Sequence, residues 1–360
     1  MYYNNTNDPS GSRRQAAFLK NFGNPKLPKN NSFPTVKPTK ILESKNKRIQ
    51  KKHHPHAIQL IENQPRPEKS FLHTIDGRYT TVLLPQKGSF NAALAKYGQD
   101  KYVMVYRPDE FTFIGCLLDS KLRLIPSYFH KFPLFNVADP RLVWINESQL
   151  LMTYSAVEKK QEYIAGSIIM DLDKSPVFVD SPQFRISPIT LEGRQKNWMP
   201  FVHDDKIFMI SSVCPHVIYE LTLKPKVECK EVFKSEWNCP WPIKLDLRGN
   251  TNAVLLEDGN YLCTFHTAQH SNNICHYDNG SYIFEGKPPF KVLKCSKTTY
   301  LPAEAAKEKH FRKAGIIICT FPVGMVRENS RLLISYGDND TAVKIVETKI
   351  ENMLNLMEEV

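Results

Sequence analysis

The chain has 360 residues, 41% hydrophobic and 24% charged, and its 48 Lys+Arg exceed its 37 Asp+Glu to give a formal net charge of +11. With 15 Gly and 25 Pro, it falls outside the collagen-like and low-complexity classes. No apolar run approaches the roughly 20 residues of a membrane helix, and no apolar core typical of a secretory signal follows the first methionine. Together with eight cysteines and no CxxC pair, these features predict a cytoplasmic protein with reduced thiols and no membrane partner.

Most of the positive charge lies in residues 1–70, which contain 14 Lys+Arg and 4 Asp+Glu, so the remainder of the chain is close to neutral. This Asn-, Pro- and Lys-rich composition predicts a basic, mostly disordered leader. RNA or anionic-surface binding, or nuclear targeting through Lys45–Arg48, is the alternative. Because basic and aromatic residues do not interleave, we expect nucleic-acid binding, if anywhere, only through this leader.

Five ten-residue windows in the rest of the chain open with polar turn residues and continue as an apolar run of strand length. They start at residues 98, 146, 203, 257 and 328 and read GQDKYVMVYR, NESQLLMTYS, HDDKIFMISS, EDGNYLCTFH and ENSRLLISYG. A strand-like segment precedes each of them: FNAALAKY, ADPRLVWI, NWMPFV, RGNTNAVLL and CTFPVGMV. Strand, tight turn and strand form the pattern of a β-hairpin.

The spacing of about 50 residues leaves room for two more strands per unit, for example over 111–117 and 122–126 in the first. Four strands per unit, repeated around an axis, predict an all-β protein: a five-bladed β-propeller over residues 75–346. A β-sandwich or double barrel with chance similarity between hairpins is the alternative. The apolar spacing over 347–360 predicts a short C-terminal helix packed on the outside.

In a propeller blade, the innermost strand begins at the end of the blade where the second strand finishes. Applied to five units, this brings polar residues to one mouth of the axis: Asn91, Arg107, Asp139, Arg141, Tyr154, Lys196, Asn197, Trp198, His216, Arg248, Asn250, His266, Asp338 and Asp340, with Tyr336 nearby. Carboxylates, cations, amides and aromatic rings bind sugar hydroxyls and stabilise an anionic partner such as phosphate. For any single residue, structural pairing between Arg and Asp is the alternative.

Motifs for metal, nucleotide or covalent chemistry are weak or missing in the sequence. Cys263, His266, His270 and Cys275 do not make a convincing zinc set, because Cys263 and His266 lie three apart on one strand and point to opposite faces. No GxGxxG, P-loop or GxSxG motif occurs. We therefore expect neither a metal nor a cofactor.

At these same positions the sequence resembles glycoside hydrolase family 130 and the related glycosyltransferase family 108, over roughly residues 85–346. The matching segments are FNAALAKY with Arg107, ADPRLVW, RQKNWMPF, PHVIYEL, LRGNTNAVLLEDGNYLCTFH, SYIFEGKPPF, and TFPVGMV followed by SYGDNDTAV. Their order and spacing together carry the resemblance. It implies a five-bladed propeller that acts on β-mannosides.

The resemblance also implies roles for individual residues. Asp139 would be the catalytic acid/base, acting through a hydroxyl of the sugar. Asn91, Arg107, Lys196, Asn197 and Asp340 would bind the mannoside, and Arg248 and His266 would hold phosphate. From their expected place at the mouth, we add Arg141, Trp198 and Tyr336 to the mannoside-binding residues and His216 to the phosphate-binding ones. Cations beside a carboxylate favour its ionised form, which suits a base better than an acid. Relay of the proton through a sugar hydroxyl would accommodate that environment.

Three departures from the family pattern bear on the reaction. Ala138 replaces a Glu, Gln195 stands where a Glu is common, and Ser212–Cys214 contains no Arg where phosphorylases tend to have one. The missing cation argues against phosphorolysis. The missing carboxylates argue against hydrolysis, because an attacking water needs a base.

The sequence therefore predicts an inverting β-mannosyl transferase or phosphorylase, with 1,2-linked mannosides as the expected substrates. Its partners would be a mannoside oligosaccharide and a phosphate-activated donor, either mannose 1-phosphate or GDP-mannose. An inverting β-mannosidase and a non-catalytic glycan-binding propeller are the alternatives.

Overall fold

The structure is a computed structural model that describes residues 74–173, 175–241, 246–271, 274–301, 310–312 and 315–360. The basic leader predicted for residues 1–70 lies outside the described residues. Within them, β-strands and one short helix make up the regular structure, which begins with β1 (Arg78–Thr81). No helix in this part of the chain has the length and hydropathy that crossing a membrane requires.

Five sheets, antiparallel except where β21 pairs in parallel with β18 in the fourth, follow one another along the chain. The first blade contains β2 (Phe90–Tyr97), β3 (Lys101–Arg107), β4 (Ile114–Asp119) and β5 (Leu124–Lys131). The second contains β6 (Val137–Trp144), β7 (Gln149–Glu158) and β8 (Gln161–Asp171), with β9 (Ser175–Phe178) and β10 (Phe184–Arg185) both paired to β8. The third contains β11 (Met199–His203), β12 (Lys206–Ser212), β13 (His216–Thr222) and β14 (Glu228–Ser235).

The fourth blade is larger than the others. Its innermost position is shared by β15 (Asp246–Gly249) and β16 (Val254–Leu255), followed by β17 (Tyr261–Ser271), β18 (Ile274–Phe284) and β19 (Val292–Ser296). Two further strands, β20 (His310–Arg312) and β21 (Gly315–Ile318), extend this sheet alongside β18. The fifth blade contains β22 (Thr320–Glu328), β23 (Arg331–Asp338) and β24 (Ala342–Lys349).

The predicted hairpins coincide with the two inner strands of each blade, which confirms the five-bladed propeller. The two inner strands of each blade contact those of the neighbouring blades in a closed ring, with β2 between β6 of the second blade and β22 of the fifth. In the first blade the two outer strands are β4 and β5, a few residues later than the 111–117 and 122–126 segments predicted for them.

The ring is closed by the two ends of the described chain. β1 pairs antiparallel with β24 as the outer strand of the fifth blade, where Arg78 forms an ion pair with Glu347. The helix expected over 347–360 is shorter than predicted. Lys349, the last residue of β24, still pairs with Arg331 of β23, so the helix begins only after it. It spans only α1 (Ile350–Leu354), and β25 (Met357–Glu359) then joins the edge of the fourth blade beside β19.

The core lies between the blades, and the inner strands are buried on both faces. In β3, for example, Val103 through Tyr106 are almost fully inaccessible to solvent. Strands packed on both faces read as continuous apolar runs rather than as alternating patterns. This packing holds the beginning of each innermost strand and the end of each second strand at one common face, called the site face below.

Candidate active site

Polar residues with a left-handed backbone stand near the beginning of the innermost strand in three consecutive blades. They are Asn91, Asp139 and Asn197, with φ angles of 46°, 57° and 60°. The strand pairing shifts register around Asn91 and around Asp139, as at a β-bulge. Asn and Asp tolerate this conformation better than other non-glycine residues, and bulges re-aim side chains next to active sites.

Asp139 lies at the centre of this group. Its Oδ1 accepts hydrogen bonds from Asn91 Nδ2 at 3.0 Å and from Arg107 Nη1 at 3.1 Å. Oδ2 has no hydrogen-bond partner among the residues that the structure describes, and the side chain is 19% exposed. One carboxylate oxygen is therefore held in place by the protein, while the group as a whole stays within reach of a ligand.

Arg107 is itself held on three sides. Its Nη2 donates to the Glu110 carbonyl at 2.9 Å, and its guanidinium lies 4.5 Å from the centre of the Phe90 ring. A guanidinium that is stacked and bonded in this way keeps its charge and its direction. Asp139 therefore faces a fixed cation on the neighbouring blade.

Arg141 is 1% exposed and acts as a bridge between blades. It donates to the carbonyls of Asp139 at 3.0 Å and Gly249 at 3.2 Å, to the Asn250 carbonyl, and to Asn197 Oδ1 at 3.4 Å. Burial lowers its pKa to about 10, and the charge of Asp139 opposes that shift. All three nitrogen atoms of its guanidinium donate to protein groups. Arg141 therefore positions neighbouring residues of the site and is not directed at a ligand.

Three basic residues lie beside the Asp139 group. Lys196 is half-buried, and its pKa is lowered first by burial and then by the positive charge of Arg248, while Glu162 and Asp139 act in the opposite direction. Arg248 and His266 are direct cross-strand partners on β15 and β17. Positive charge gathered beside Asp139 in this way suits an anionic ligand.

His266 is fully buried, and its pKa lies well below the usual value, first because of burial and then because of Arg248, Lys196 and Arg141. It is therefore neutral at physiological pH. Its Nδ1 lies 2.6 Å from Asn250 Oδ1.

An amide chain sets the tautomer of His266. Asn279 Nδ2 donates to the Leu301 and Thr320 carbonyls, so Asn279 Oδ1 is left to accept from Asn250 Nδ2 at 3.0 Å. Asn250 Oδ1 must then be an acceptor. The proton of His266 is therefore on Nδ1, and its Nε2 is an acceptor.

The fifth blade reaches the site through Gly337 at the end of β23. A Cβ atom at Gly337 would lie 2.0 Å from Asn91 Oδ1, so only glycine leaves room for Asn91 there. Asp338, Asn339 and Asp340 follow directly, and the last two have left-handed φ angles of 48° and 53°. This places Asp340 on the segment next to Asn91.

Several residues expected at the mouth lie elsewhere. Trp198 is 2% exposed and packs against Tyr219, with ring centres 4.8 Å apart. Tyr336 and Tyr154 are also buried in the packing between blades. His216 contacts Tyr282 and Phe284, and its Nδ1 lies 3.1 Å from the Phe290 carbonyl. These residues support the site through packing because their side chains occupy core positions.

The structure also reveals positioning groups that the sequence pattern did not single out. They are Phe90 beneath Arg107, the backbone carbonyl of Gly249, and Asn279 behind Asn250. Asn279-Gly280 is a dipeptide typical of hairpin turns, yet it lies inside β18, where a Cβ at Gly280 would meet the Phe265 ring. No group of three His, Cys, Asp or Glu side chains in the described ranges has a metal-binding arrangement.

Comparisons with known proteins relate this geometry to a family. The model of glycoside hydrolase family 130, described as beta-1,4-mannooligosaccharide phosphorylase, matches residues 121–359. No curated protein matches the sequence.

Solved structures share the fold at low identity. A protein from Bacteroides thetaiotaomicron superposes with a TM-score of 0.53 at 16% identity, covering 79% of this chain and 96% of its own. The beta-1,2-mannobiose phosphorylase from Listeria innocua, bound to beta-1,2-mannobiose, gives 0.51 at 15% identity and covers 79% and 94%. A third structure, from work on hydrolases of the same family that target beta-1,2 mannosidic linkages in Candida mannan, gives 0.52 at 13% and covers 79% and 93%.

At these identities the structural likeness shows the fold, while the family model, which spans most of the chain, shows the relationship. The residues that carried the resemblance in the sequence come from all five blades of the propeller. The chain therefore belongs to glycoside hydrolase family 130 and is an enzyme of this mannoside-processing family.

Proposed function

We propose that this enzyme transfers a mannosyl group between a phosphate-activated mannose and a β-mannoside, with inversion, as a phosphorylase or a transferase. The observation that carries the proposal is one carboxylate, Asp139, held beside a group of cations that includes Lys196 and Arg248. The hydroxyls of a sugar ring can bond to the carboxylate, and the negative charge of a phosphate group suits the cations.

The environment of Asp139 suits the synthetic direction. Arg107 and Asn91 both donate to Oδ1, so this oxygen acts as a hydrogen-bond acceptor toward the protein. A carboxylate can take up a proton, and the attacking acceptor hydroxyl must lose one. Passage through a sugar hydroxyl next to Asp139 would deliver that proton to the carboxylate.

The bond changes balance without a second carboxylate. The acceptor oxygen forms a bond to the anomeric carbon while the bond from that carbon to the phosphate oxygen breaks. The electron pair leaves with the phosphate, and the acceptor proton reaches Asp139. In the reverse direction phosphate attacks the anomeric carbon, and Asp139 returns the proton to the departing sugar oxygen.

Lys196 and Arg248 would hold the phosphate in this proposal. His266 would add no charge, because its buried ring is neutral, but its Nε2 can accept a hydrogen bond from a protonated phosphate oxygen. His216, packed against Tyr282 and Phe284, takes no part in it.

The proposal is tested by following products rather than substrate loss. The protein is incubated with β-1,2-mannobiose and either mannose 1-phosphate or GDP-mannose, and in parallel with mannobiose and inorganic phosphate or with mannobiose in buffer. We expect longer mannosides from one of the donors, or mannose 1-phosphate in the phosphate reaction. Free mannose from mannobiose in buffer would identify a hydrolase instead, and binding without any product would identify a glycan-binding protein.

A further inference from the structure

Two aromatic rings lie exposed and in contact on the site face. Phe111 is 47% exposed and Phe135 is 68% exposed. Their ring centres are 5.6 Å apart and their planes differ by 25°, so they stack. Most of the phenylalanine side chains that the structure describes are buried in the blades, and large exposed apolar groups held together in this way mark binding surfaces.

Both rings belong to loops that lead directly to the reactive group. Phe111 follows Arg107 by four residues in the β3–β4 loop, and Phe135 precedes Asp139 by four residues in the β5–β6 loop. Four residues span at most about 14 Å when fully extended. Because these two loops connect strand ends at the site face, the rings lie on the same face of the propeller as the carboxylate and not at its rear.

The two loops are held firmly although their rings are exposed. Asp109 Oδ1 accepts hydrogen bonds from the backbone N–H groups of Phe111 at 2.7 Å and Thr112 at 2.8 Å. The Phe111 carbonyl in turn accepts from Val137 N at 3.3 Å, which joins one loop to the other. An exposed pair that is fixed before any ligand arrives binds at a small entropic cost.

We infer that Phe111 and Phe135 form a stacking platform for a sugar unit of the mannoside that lies beyond the two units nearest Asp139. The inference rests on the proposed function and names the site that would make the enzyme prefer longer chains. A pyranose ring has an apolar face of C–H groups that packs against an aromatic ring, while its hydroxyls remain in water at the edges.

A matched control exists in the same blade. Phe129 is 39% exposed, but it lies within β5, the outermost strand of the blade, and not in either of the two loops. Each of three variants therefore removes one exposed phenylalanine ring: Phe111→Ala, Phe135→Ala and Phe129→Ala. Because all three rings are exposed, we expect all three variants to fold, with melting temperatures close to that of the unmodified protein.

The test is calorimetric binding of mannobiose and mannotetraose, in both the β-1,2-linked and the β-1,4-linked series, to the unmodified protein and the three variants. Phe135→Ala should weaken binding of one tetraose roughly fivefold and of the corresponding biose much less, since the loss of one stacking contact is worth about 1 kcal/mol. Phe111→Ala should act in the same direction. Phe129→Ala should leave both affinities unchanged.

Equal affinities in all four proteins, an equal loss for both chain lengths, or the same loss in Phe129→Ala would overturn the platform. Self-association that disappears in Phe135→Ala, without any change in mannoside affinity, would assign the pair to a contact between copies instead. The readout is binding, so it separates the two proposals. Length-dependent binding without turnover would support the platform and refute the proposed transfer reaction. Turnover of mannobiose with no effect of either ring would support the transfer reaction and refute the platform.

Discussion

A single backbone conformation places the Asp139 carboxylate, the acid/base group of the proposed reaction. Asp139 adopts φ 57° at a shift in strand register, and this turns its side chain toward Asn91 and Arg107 on the preceding blade. Asp and Asn tolerate a left-handed conformation because their short polar side chains form local hydrogen bonds. An aspartate at this position suits both the left-handed backbone and the acid/base chemistry that we propose.

Asp139→Asn tests the chemical requirement separately from the backbone requirement. The amide keeps the size, the tolerance of a left-handed backbone and an oxygen that accepts from Asn91 and Arg107, but it cannot take up a proton. Transfer activity should fall at least about a hundredfold while the melting temperature changes little.

The matched control is Asp338→Asn, which also removes a carboxylate at the site face, one that is paired with Lys344 at 2.6 Å. The measurement is initial rate of product formation beside a thermal melt for each variant. Similar rates in the Asp139 variant and the unmodified enzyme would rule out Asp139 as the acid/base.

At the scale of elements, the innermost strands are tied together by buried polar groups as well as by apolar packing. Arg141 on β6 reaches the carbonyls of Gly249 and Asn250 at β15 of the fourth blade and the side chain of Asn197 before β11. A planar guanidinium can satisfy several acceptors in fixed directions. This one residue therefore sets the spacing of three blades around the funnel.

Arg141→Lys should destabilise the protein by on the order of 3 kcal/mol, since an ammonium group cannot reach all of these acceptors and leaves buried carbonyls unpaired. Urea unfolding measures the loss. Arg185→Lys is the control, because Arg185 lies on the outer strand β10, bonded to the Ser187 carbonyl and stacked on Tyr163. A loss no greater than that of the control would show that Arg141 is not a bridge between blades.

At the scale of the whole molecule, closure of the ring buries ionisable groups that belong to different blades. His216 from the third blade packs against Tyr282 and Phe284 of the fourth, and burial lowers its pKa to about 4. His266 is likewise buried, between cations. Both rings are therefore neutral in the folded protein, while they become charged in the unfolded chain near pH 6.5.

The free energy of unfolding should consequently depend on pH. Below pH 6.5 the unfolded chain binds protons at these histidines that the folded protein does not, so the free energy of unfolding falls as the pH is lowered toward 4. The loss attributable to His216 should approach about 3 kcal/mol at pH 4. Urea unfolding at several pH values measures it, and His216→Gln should show a shallower dependence. Equal slopes in the two proteins would contradict the assignment.

Local patterns account for what could be predicted about the fold. Turn residues followed by an apolar run are a local signal, and five such hairpins at blade spacing lead to the propeller before any tertiary information is used. The same periodicity indicates that Asn91, Asp139 and Arg248 belong to strand beginnings. Each of these inferences depends on neighbours within about ten residues, where turn chemistry and side-chain alternation operate.

Local patterns do not decide whether a polar or aromatic residue faces the funnel or the core, because a side chain at the end of a strand can point in either direction. Trp198, Tyr336 and His216 are among the predicted site residues, yet all three are buried in packing between blades. The tautomer of His266 depends on carbonyls more than 30 residues away, and the pairing of Phe111 with Phe135 depends on two separate loops. The sequence by itself determined the repeated hairpin and its count, since those follow from local chemistry. The tertiary structure decided which side chains meet, because contacts between blades join residues that no local pattern connects.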